Sequence, residues 1–260
     1  MNILMIGDVM GKPGRQAVAA LVPSLREELK LDLVVANGEN AAAGRGLTQS
    51  TAKEIFEAGV DVITSGNHIW DQKEIVGVMD QETAILRPLN YPPAAPGRGV
   101  LTHHGVTVMN LQGRTFMNEI DCPFRAADAA LDALPDDAIV LVDMHAEASS
   151  EKVGMGRYLD GRVAAVVGTH THVPTADASI FPGGTAFVSD LGMVGTRESI
   201  IGNEIDAVIN RFLTGMPTRL PVAERSSVVQ FNSVLIEIDE ATRRAHSIQR
   251  VDREHERHAE

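Results

Sequence analysis

Short apolar runs alternate with longer segments of helical periodicity through the first half of the chain. Five runs have the length and β-branched content of buried strands, at residues 2–7, 33–38, 62–66, 139–144 and 163–169. Helices are predicted at 15–30, 48–58 and 73–80. Pro23 predicts a kink or break in the first helix, and Thr48 or Ser50 is a candidate cap for the second. The alternation favours parallel strands.

The second half of the chain changes character. Residues 88–99, rich in Pro, Ala and Gly, predict a surface loop, and residues 100–111 predict a hairpin that turns at His104-Gly105. The pattern predicts further strands at 185–189, 226–238 and 245–250 and a helix at 203–213. The charged end is expected to fray from about residue 252. Without an internal repeat or linker, we expect residues 1–260 to form one domain, with two packed sheets and helices outside.

Polar side chains follow each of the five predicted strands. They are Asp8, Glu39, Asn40, Asn67, His68, His145, His170 and His172. Because ligands of open parallel sheets bind at the carboxyl ends of the strands, we expect these residues to line one rim. Carboxylate, amide and imidazole groups together suit a hard or borderline divalent metal. Taken singly, each residue has a simpler interpretation as a turn or packing residue, but five strand ends in the same register favour a shared metal site.

Two histidine pairs and one arginine add detail to this prediction. His170 and His172 are two residues apart, and in an extended segment such residues point to the same side, so both imidazoles can face one cavity. The pair His103-His104 lies in the predicted hairpin turn and is expected to be exposed. Arg45, beside the rim, is a candidate phosphate contact, although exposure to solvent is the default for a loop arginine.

Composition narrows the classes of function. The net charge of -12 argues against broad binding to a nucleic-acid backbone, which requires many cationic side chains. No apolar stretch is long enough to span a membrane. The single Cys122 excludes an intramolecular disulfide, and the start of the chain lacks the basic region of a signal peptide. These features predict a cytoplasmic protein.

The strand-end motifs resemble those of the calcineurin-like metallophosphoesterases in order and spacing. Longer segments are similar to the YmdB branch of that superfamily, at 7–15, 37–44, 67–71, 143–152 and 187–193. The resemblance implies an α/β protein with the metallophosphoesterase fold, a four-layer α/β/β/α sandwich of two mixed sheets flanked by helices. Met10 stands where the wider superfamily has a histidine, and a thioether is a poor ligand for a hard ion. Asn40 is the implied substitute, and Glu39 replaces the usual bridging Asp.

The resemblance also implies which residues act. The first metal ion would be bound by Asp8, Glu39, Asn40 and His172, and the second by Glu39, Asn67, His145 and His170. Glu39 would bridge two ions roughly 3.5–4 Å apart. His68 would be the catalytic general acid. Ile69 replaces the acidic residue that often follows the Asn-His pair, which leaves open whether Asp71 orients His68. Iron is the implied metal, with manganese as a substitute and zinc not excluded.

The implied activity is hydrolysis of small phosphodiesters by a hydroxide that two metal ions activate. The resemblance implies that the substrates are 2′,3′-cyclic nucleotides such as 2′,3′-cyclic AMP. Such a small cyclic diester needs no basic groove for a second chain. A phosphomonoesterase or nucleotidase is an alternative within the same class. A nucleotide-responsive regulatory protein with weak turnover is the alternative from another class. The resemblance further suggests a homo-oligomer, either a dimer or a tetramer.

Overall fold

Two β-sheets pack face to face between layers of helices in the computed structural model, which describes residues 1–79, 81 and 83–257. In chain order the elements are β1 (Asn2–Val9), α1 (Gly11–Glu28), β2 (Leu33–Asn37), α2 (Gln49–Glu57), β3 (Val62–Thr64), α3 (Ile75–Met79), β4 (Val100–His103), β5 (Val106–Gln112), α4 (Pro123–Ala133), β6 (Ile139–His145), α5 (Ser149–Tyr158), β7 (Ala165–Thr169), β8 (Ser179–Ile180), β9 (Ala186–Val188), β10 (Met193–Thr196), α6 (Ile205–Thr214), β11 (Val228–Phe231), β12 (Ser233–Asp239), β13 (Arg244–Arg250) and β14 (Arg253–Glu256).

Both sheets are mixed, and each has a parallel centre. In the eight-stranded sheet, β1 runs parallel to β2 and β10 and antiparallel to β12, while β3 extends the parallel part beyond β2. The six-stranded sheet has the order β4-β5-β6-β7-β9-β8, in which β5, β6, β7 and β9 are parallel. The carboxyl ends of β1, β2, β3, β6 and β7 therefore meet at one edge of the sandwich.

Alternate residues along the strands face opposite sides of each sheet, and their side chains form three apolar layers. Ile3 and Met5 of β1 pack between the sheets with Leu141 of β6. Their neighbours Leu4 and Ile6 face the opposite way, into the layer beneath α1 and α2. A third layer lies between the six-stranded sheet and helices α4 and α5. Strands that are buried on both faces have nearly continuous apolar sequences, which explains the runs. The predicted four-layer α/β/β/α fold is confirmed.

Several local predictions need correction. Helix α1 continues through Pro23, which lies on an exposed side of the helix, as does Ala19, whose carbonyl loses its hydrogen-bond donor. The single strand predicted at 226–238 is divided at Asn232 into β11 and β12. Part of the tail expected to fray forms β14, which pairs with β11. Asp80 of the predicted helix 73–80 and residues 258–260 lie outside the described residues.

Other local predictions are confirmed. The capping box at the start of α2 uses Thr48, and β4 and β5 form a hairpin whose turn contains His104. Among the described residues, no helix is both long enough and apolar enough to cross a membrane.

Candidate active site

A cavity of about 710 Å³ opens at the edge where the strand ends meet. Of the eight predicted site residues, Glu39, Asn40, His68, His170 and His172 line it directly. Asp8 contacts the lining residue His170, His145 contacts the lining residue Glu39, and Asn67 contacts His145. The structure therefore brings all eight predicted residues together, from both sheets.

One group of side chains surrounds the Nε2 atom of His145. The Oε1 atom of Glu39 lies 3.0 Å from it, the Oδ1 atom of Asn67 lies 3.2 Å from it and the Nδ1 atom of His170 lies 3.0 Å from it. Ligand atoms of Glu39, His145 and His170 all lie within 4.8 Å of one another. Four segments of the chain, at the carboxyl ends of β2, β3, β6 and β7, thus place potential ligand atoms in the same small volume.

A second group of side chains surrounds the Nε2 atom of His172. The Nε2 atom of His172 is 3.2 Å from the Nδ2 atom of Asn40 and 3.8 Å from the Oδ1 atom of Asp8. Asn40 also lies 3.4 Å from Glu39 Oε1, so Glu39 is common to both groups. The two groups have the membership that the family resemblance implies for two metal ions.

His170 and His172 reach these positions from a tight turn. Strand β7 ends at Thr169, and the φ angles of His170 and His172 are 101° and 65°. The expectation of an extended segment is wrong here, although both rings do face the cavity region. Left-handed φ angles at non-glycine residues cost about 1–3 kcal/mol each and persist only where surrounding contacts hold them.

A buried ion pair holds this turn. The Nζ atom of Lys152 lies 2.6 Å from Asp190 Oδ2, and both side chains are almost wholly buried. The same carboxylate oxygen accepts hydrogen bonds from the backbone N–H and the hydroxyl of Thr171, the residue between the two histidines. The backbone N–H of His170 is bound by Asp8 Oδ2 at 3.1 Å. Sequence reasoning missed Lys152 and Asp190, although both lie in segments that resemble the family motifs.

The His145 ring is oriented by polar residues inside the strands. Its Nδ1 atom lies 2.9 Å from the hydroxyl of Thr169, which donates to Asp143 Oδ1 at 2.7 Å. Thr64 donates to the other oxygen of Asp143, and Asn37 lies 3.3 Å from His145 Nδ1. Such outer contacts fix the ring so that Nε2 faces the ligand group. Their sequence signal was a polar residue inside an apolar run.

The His68 side chain belongs to neither group of candidate ligands. Its backbone N–H donates to Glu39 Oε2 at 3.0 Å, and its Nδ1 atom lies 2.9 Å from Asp71 Oδ2. Asp71 therefore contacts the His68 ring, as an orienting role would require. This contact leaves Nε2 as the ring nitrogen available to a molecule in the cavity.

The charges of the site fit a cation. Burial raises the pKa of Asp8 to about 6, and the Oδ1 atom of Asp8 has no hydrogen-bond partner among the described residues. Burial opposes the charge on His145, but the carboxylates of Glu39 and Asp8 outweigh it and raise the His145 pKa to about 9. Burial and the neighbouring His145 lower the pKa of His170 to about 3. In the protein alone a proton on His145 therefore balances carboxylates that a metal ion would otherwise neutralise.

The donor set also fits a metal. It contains two carboxylates, two amides and three imidazoles without a thiolate, which suits hard to borderline divalent ions. The amide of Asn40 presents its nitrogen to His172 and Glu39, and a half-turn about the last side-chain bond would present its oxygen instead. The orphaned oxygen of Asp8 and the shared carboxylate of Glu39 support the same conclusion.

Comparisons with known proteins show which family the chain resembles over nearly its whole length. A family model described as YmdB-like protein matches residues 4–251. A 2′,3′-cyclic-nucleotide 2′-phosphodiesterase of Bacillus subtilis (strain 168) is 44% identical to the chain, with 96% of each covered. A hypothetical protein from Thermus thermophilus has 44% identity and a TM-score of 0.91, covering 98% of this chain and 100% of that one. A novel phosphatase from Mycoplasma pneumoniae has 31% identity and a TM-score of 0.92, covering 99% and 94%.

Proposed function

Because the chain belongs to the YmdB-like protein family, we propose that it is a metal-dependent phosphodiesterase that acts on small phosphodiesters. The preferred substrates are 2′,3′-cyclic nucleotides such as 2′,3′-cyclic AMP. The observation that carries this proposal is the 44% identity, over 96% of both chains, to a relative named for that activity. The two groups of side chains that share Glu39 in one cavity support a hydrolytic site of this kind.

Two metal ions per subunit complete the proposed site. Asp8, Glu39, Asn40 and His172 would hold the first ion, and Glu39, Asn67, His145 and His170 would hold the second. When bound, such ions supply Lewis acidity and lower the pKa of water. We propose iron as the native metal and manganese as its substitute, and zinc remains compatible with these ligands.

His68 is the proposed catalytic general acid. Its Nε2 atom would protonate the leaving ribose oxygen, while Asp71 holds Nδ1 and stabilises the charged ring. Asp143 and Thr169 would keep His145 in the tautomer whose Nε2 faces the metal. Lys152 and Asp190 would hold the turn that presents His170 and His172.

Three broader features complete the proposal. Residues 1–260 act as a single metallophosphoesterase domain. The protein works in the cytoplasm, where its single cysteine stays reduced. It forms a homo-oligomer, either a dimer or a tetramer.

A substrate panel combined with elemental analysis tests the activity. Purified protein should contain close to two equivalents of metal, and metal-loaded protein should hydrolyse 2′,3′-cyclic AMP faster than 3′,5′-cyclic AMP or p-nitrophenyl phosphate. Equal or reversed rates would contradict the proposed substrate class. Faster turnover of p-nitrophenyl phosphate alone would favour a phosphomonoesterase, and metal-loaded protein without turnover would favour a regulatory role.

A further inference from the structure

Three arginines line the same cavity as the candidate metal ligands. Arg45 comes from the loop after β2, Arg211 from α6 and Arg219 from the segment that follows α6. We call them the arginine rim. All three side chains are exposed, and among the described residues no carboxylate pairs with any of their guanidinium groups. Such a group of unpaired cations is notable in a chain whose net charge is -12.

The segment that carries two of these arginines is anchored on the candidate site at both ends. Just before it, the carbonyl oxygen of Ile201 lies 2.9 Å from Nδ1 of His172. Asn203 then pairs with Val222, which closes residues 203–222 into a loop. Val222 packs so closely on Gly44 that a β-carbon there would lie 2.8 Å from the valine Cγ2 atom. Arg211 and Arg219 are therefore held beside the cavity by contacts with residues next to the candidate ligands.

The rest of the cavity offers little to a nucleobase. Among the described residues that line it, there is no Phe, Tyr or Trp on which a base could stack. Outside the candidate metal ligands, the charged side chains are the three arginines and Glu147, whose carboxylate lies 3.1 Å from His170 Nε2. Guanidinium groups bind phosphate through paired N–H donors, so this lining is suited to phosphate more than to a particular base.

We propose that the arginine rim binds a second phosphate of the substrate, in addition to the cyclic phosphate at the metal ions. This inference rests on the proposed phosphodiesterase function and narrows its substrate class. The preferred substrates are then nucleotides with a 2′,3′-cyclic phosphate and a further phosphate on the 5′ side, including short RNA fragments with such an end. Discrimination between bases is weak. Long nucleic acids remain poor ligands because the chain as a whole carries a net charge of -12.

A matched pair of substrates tests the inference. 2′,3′-Cyclic AMP and its 5′-phosphorylated form differ by one phosphate, and metal-loaded protein should show about tenfold higher kcat/KM for the second, the effect of one charged hydrogen-bonded contact. Arg211→Gln and Arg219→Gln should each reduce this ratio towards one. Arg125→Gln, at an exposed position of helix α4 that does not line the cavity, is the matched control and should keep the wild-type ratio.

The possible failures are distinguishable. If the wild-type protein hydrolyses both compounds with equal kcat/KM, the second phosphate site is refuted and the phosphodiesterase function stands. If neither compound is hydrolysed, the proposed phosphodiesterase function is refuted. Titration calorimetry then still tests whether the arginine rim binds a second phosphate. Adenosine 3′,5′-bisphosphate should then bind more tightly than adenosine 3′-monophosphate, and Arg219→Gln should remove the difference. If the wild-type protein binds the bisphosphate and the monophosphate with equal affinity, the second phosphate site is refuted.

Discussion

Among the site residues, His68 is the one whose catalytic role can best be tested without disturbing metal binding. Its contacts are with Asp71 and, through its backbone, with Glu39, whereas the candidate ligands surround His145 and His172. We therefore expect His68→Ala to lower kcat for 2′,3′-cyclic AMP by about 10²–10⁴-fold, the usual contribution of a general acid. Steady-state kinetics on metal-loaded protein measures the loss.

Elemental analysis of the same sample provides the control. The His68→Ala variant should retain the metal content of the wild-type protein, and Asp71→Asn should show a smaller loss of kcat because it only weakens the orientation of the ring. A His68→Ala variant that loses its metal, or that keeps full activity, would show that His68 is not the acid.

At the scale of elements, the end of β3 approaches β6 too closely for any side chain at Gly66. A β-carbon at this position would lie 2.0 Å from Cδ2 of His145. We expect Gly66→Ala to displace the His145 ring, to weaken metal binding and to abolish most activity. Gly77→Ala in α3 is the matched control, because no atom lies within 4 Å of a β-carbon there.

Metal titration and chemical denaturation distinguish the two glycine variants. Gly77→Ala should raise the free energy of unfolding by up to about 1 kcal/mol through the helix preference of alanine, and should bind metal normally. If Gly66→Ala binds metal with wild-type affinity, metal binding does not require the His145 ring in the position that the structure shows.

The Lys152–Asp190 pair links α5 to the turn after β7. Lys152→Met would leave Asp190 as a buried charge without its partner, which typically costs about 3–5 kcal/mol of stability. The exposed pair of Lys53 and Glu57 offers a comparison, since Lys53→Met should cost less than about 1 kcal/mol. Urea denaturation of metal-free protein measures both changes.

The same variants test whether the pair positions the candidate ligands. Lys152→Met should bind metal more weakly than the wild-type protein, and Lys152→Arg should recover part of that affinity by restoring the charge. If the stability falls but the metal affinity stays unchanged, the pair supports the fold without acting on His170 and His172.

Elements that are buried on both faces could be predicted from the sequence, and weaker ones could not. The central strands have continuous apolar sequences, and the polar residues after them mark their ends. Helix α5 contains Gly154 and Gly156, which weaken its helical signal, and β10 is a four-residue strand that includes Gly195. Their existence depends on tertiary packing, since Gly156 fits directly against Phe187.

Some features of the candidate site could likewise be predicted from the sequence, and others could not. Its ligand residues could be predicted because they interrupt apolar runs at strand ends. The left-handed conformation of His170 could not be predicted, because it depends on Asp8 and on Asp190, whose carboxylate binds the next residue, Thr171. Arg45 alone could be predicted as a candidate phosphate contact. Its grouping with Arg211 and Arg219 could not be predicted, since these residues line one cavity only after residues 203–222 fold back onto the loop after β2.

At the scale of the whole molecule, the two sheets share one apolar layer and one functional edge. Ile3 and Met5 of the first sheet pack with Leu141 of the second, and Glu39 meets His145 across the same interface. Neither half can separate without exposing the other's core or dispersing the candidate ligands. This arrangement is the physical basis for proposing a single domain.

Urea-induced unfolding tests whether the protein behaves as a single domain. Trp70, the only tryptophan, packs against the layer beneath α1 and α2, 5.9 Å from the ring of Tyr91, so its fluorescence reports the first sheet. Far-UV circular dichroism reports both sheets and all helices. We expect the two signals to change together in urea, with one midpoint. Metal at 100 times its dissociation constant should add about 2.7 kcal/mol of stability for each of the two bound ions. Two separated transitions would show that the sheets unfold independently and would contradict the single domain.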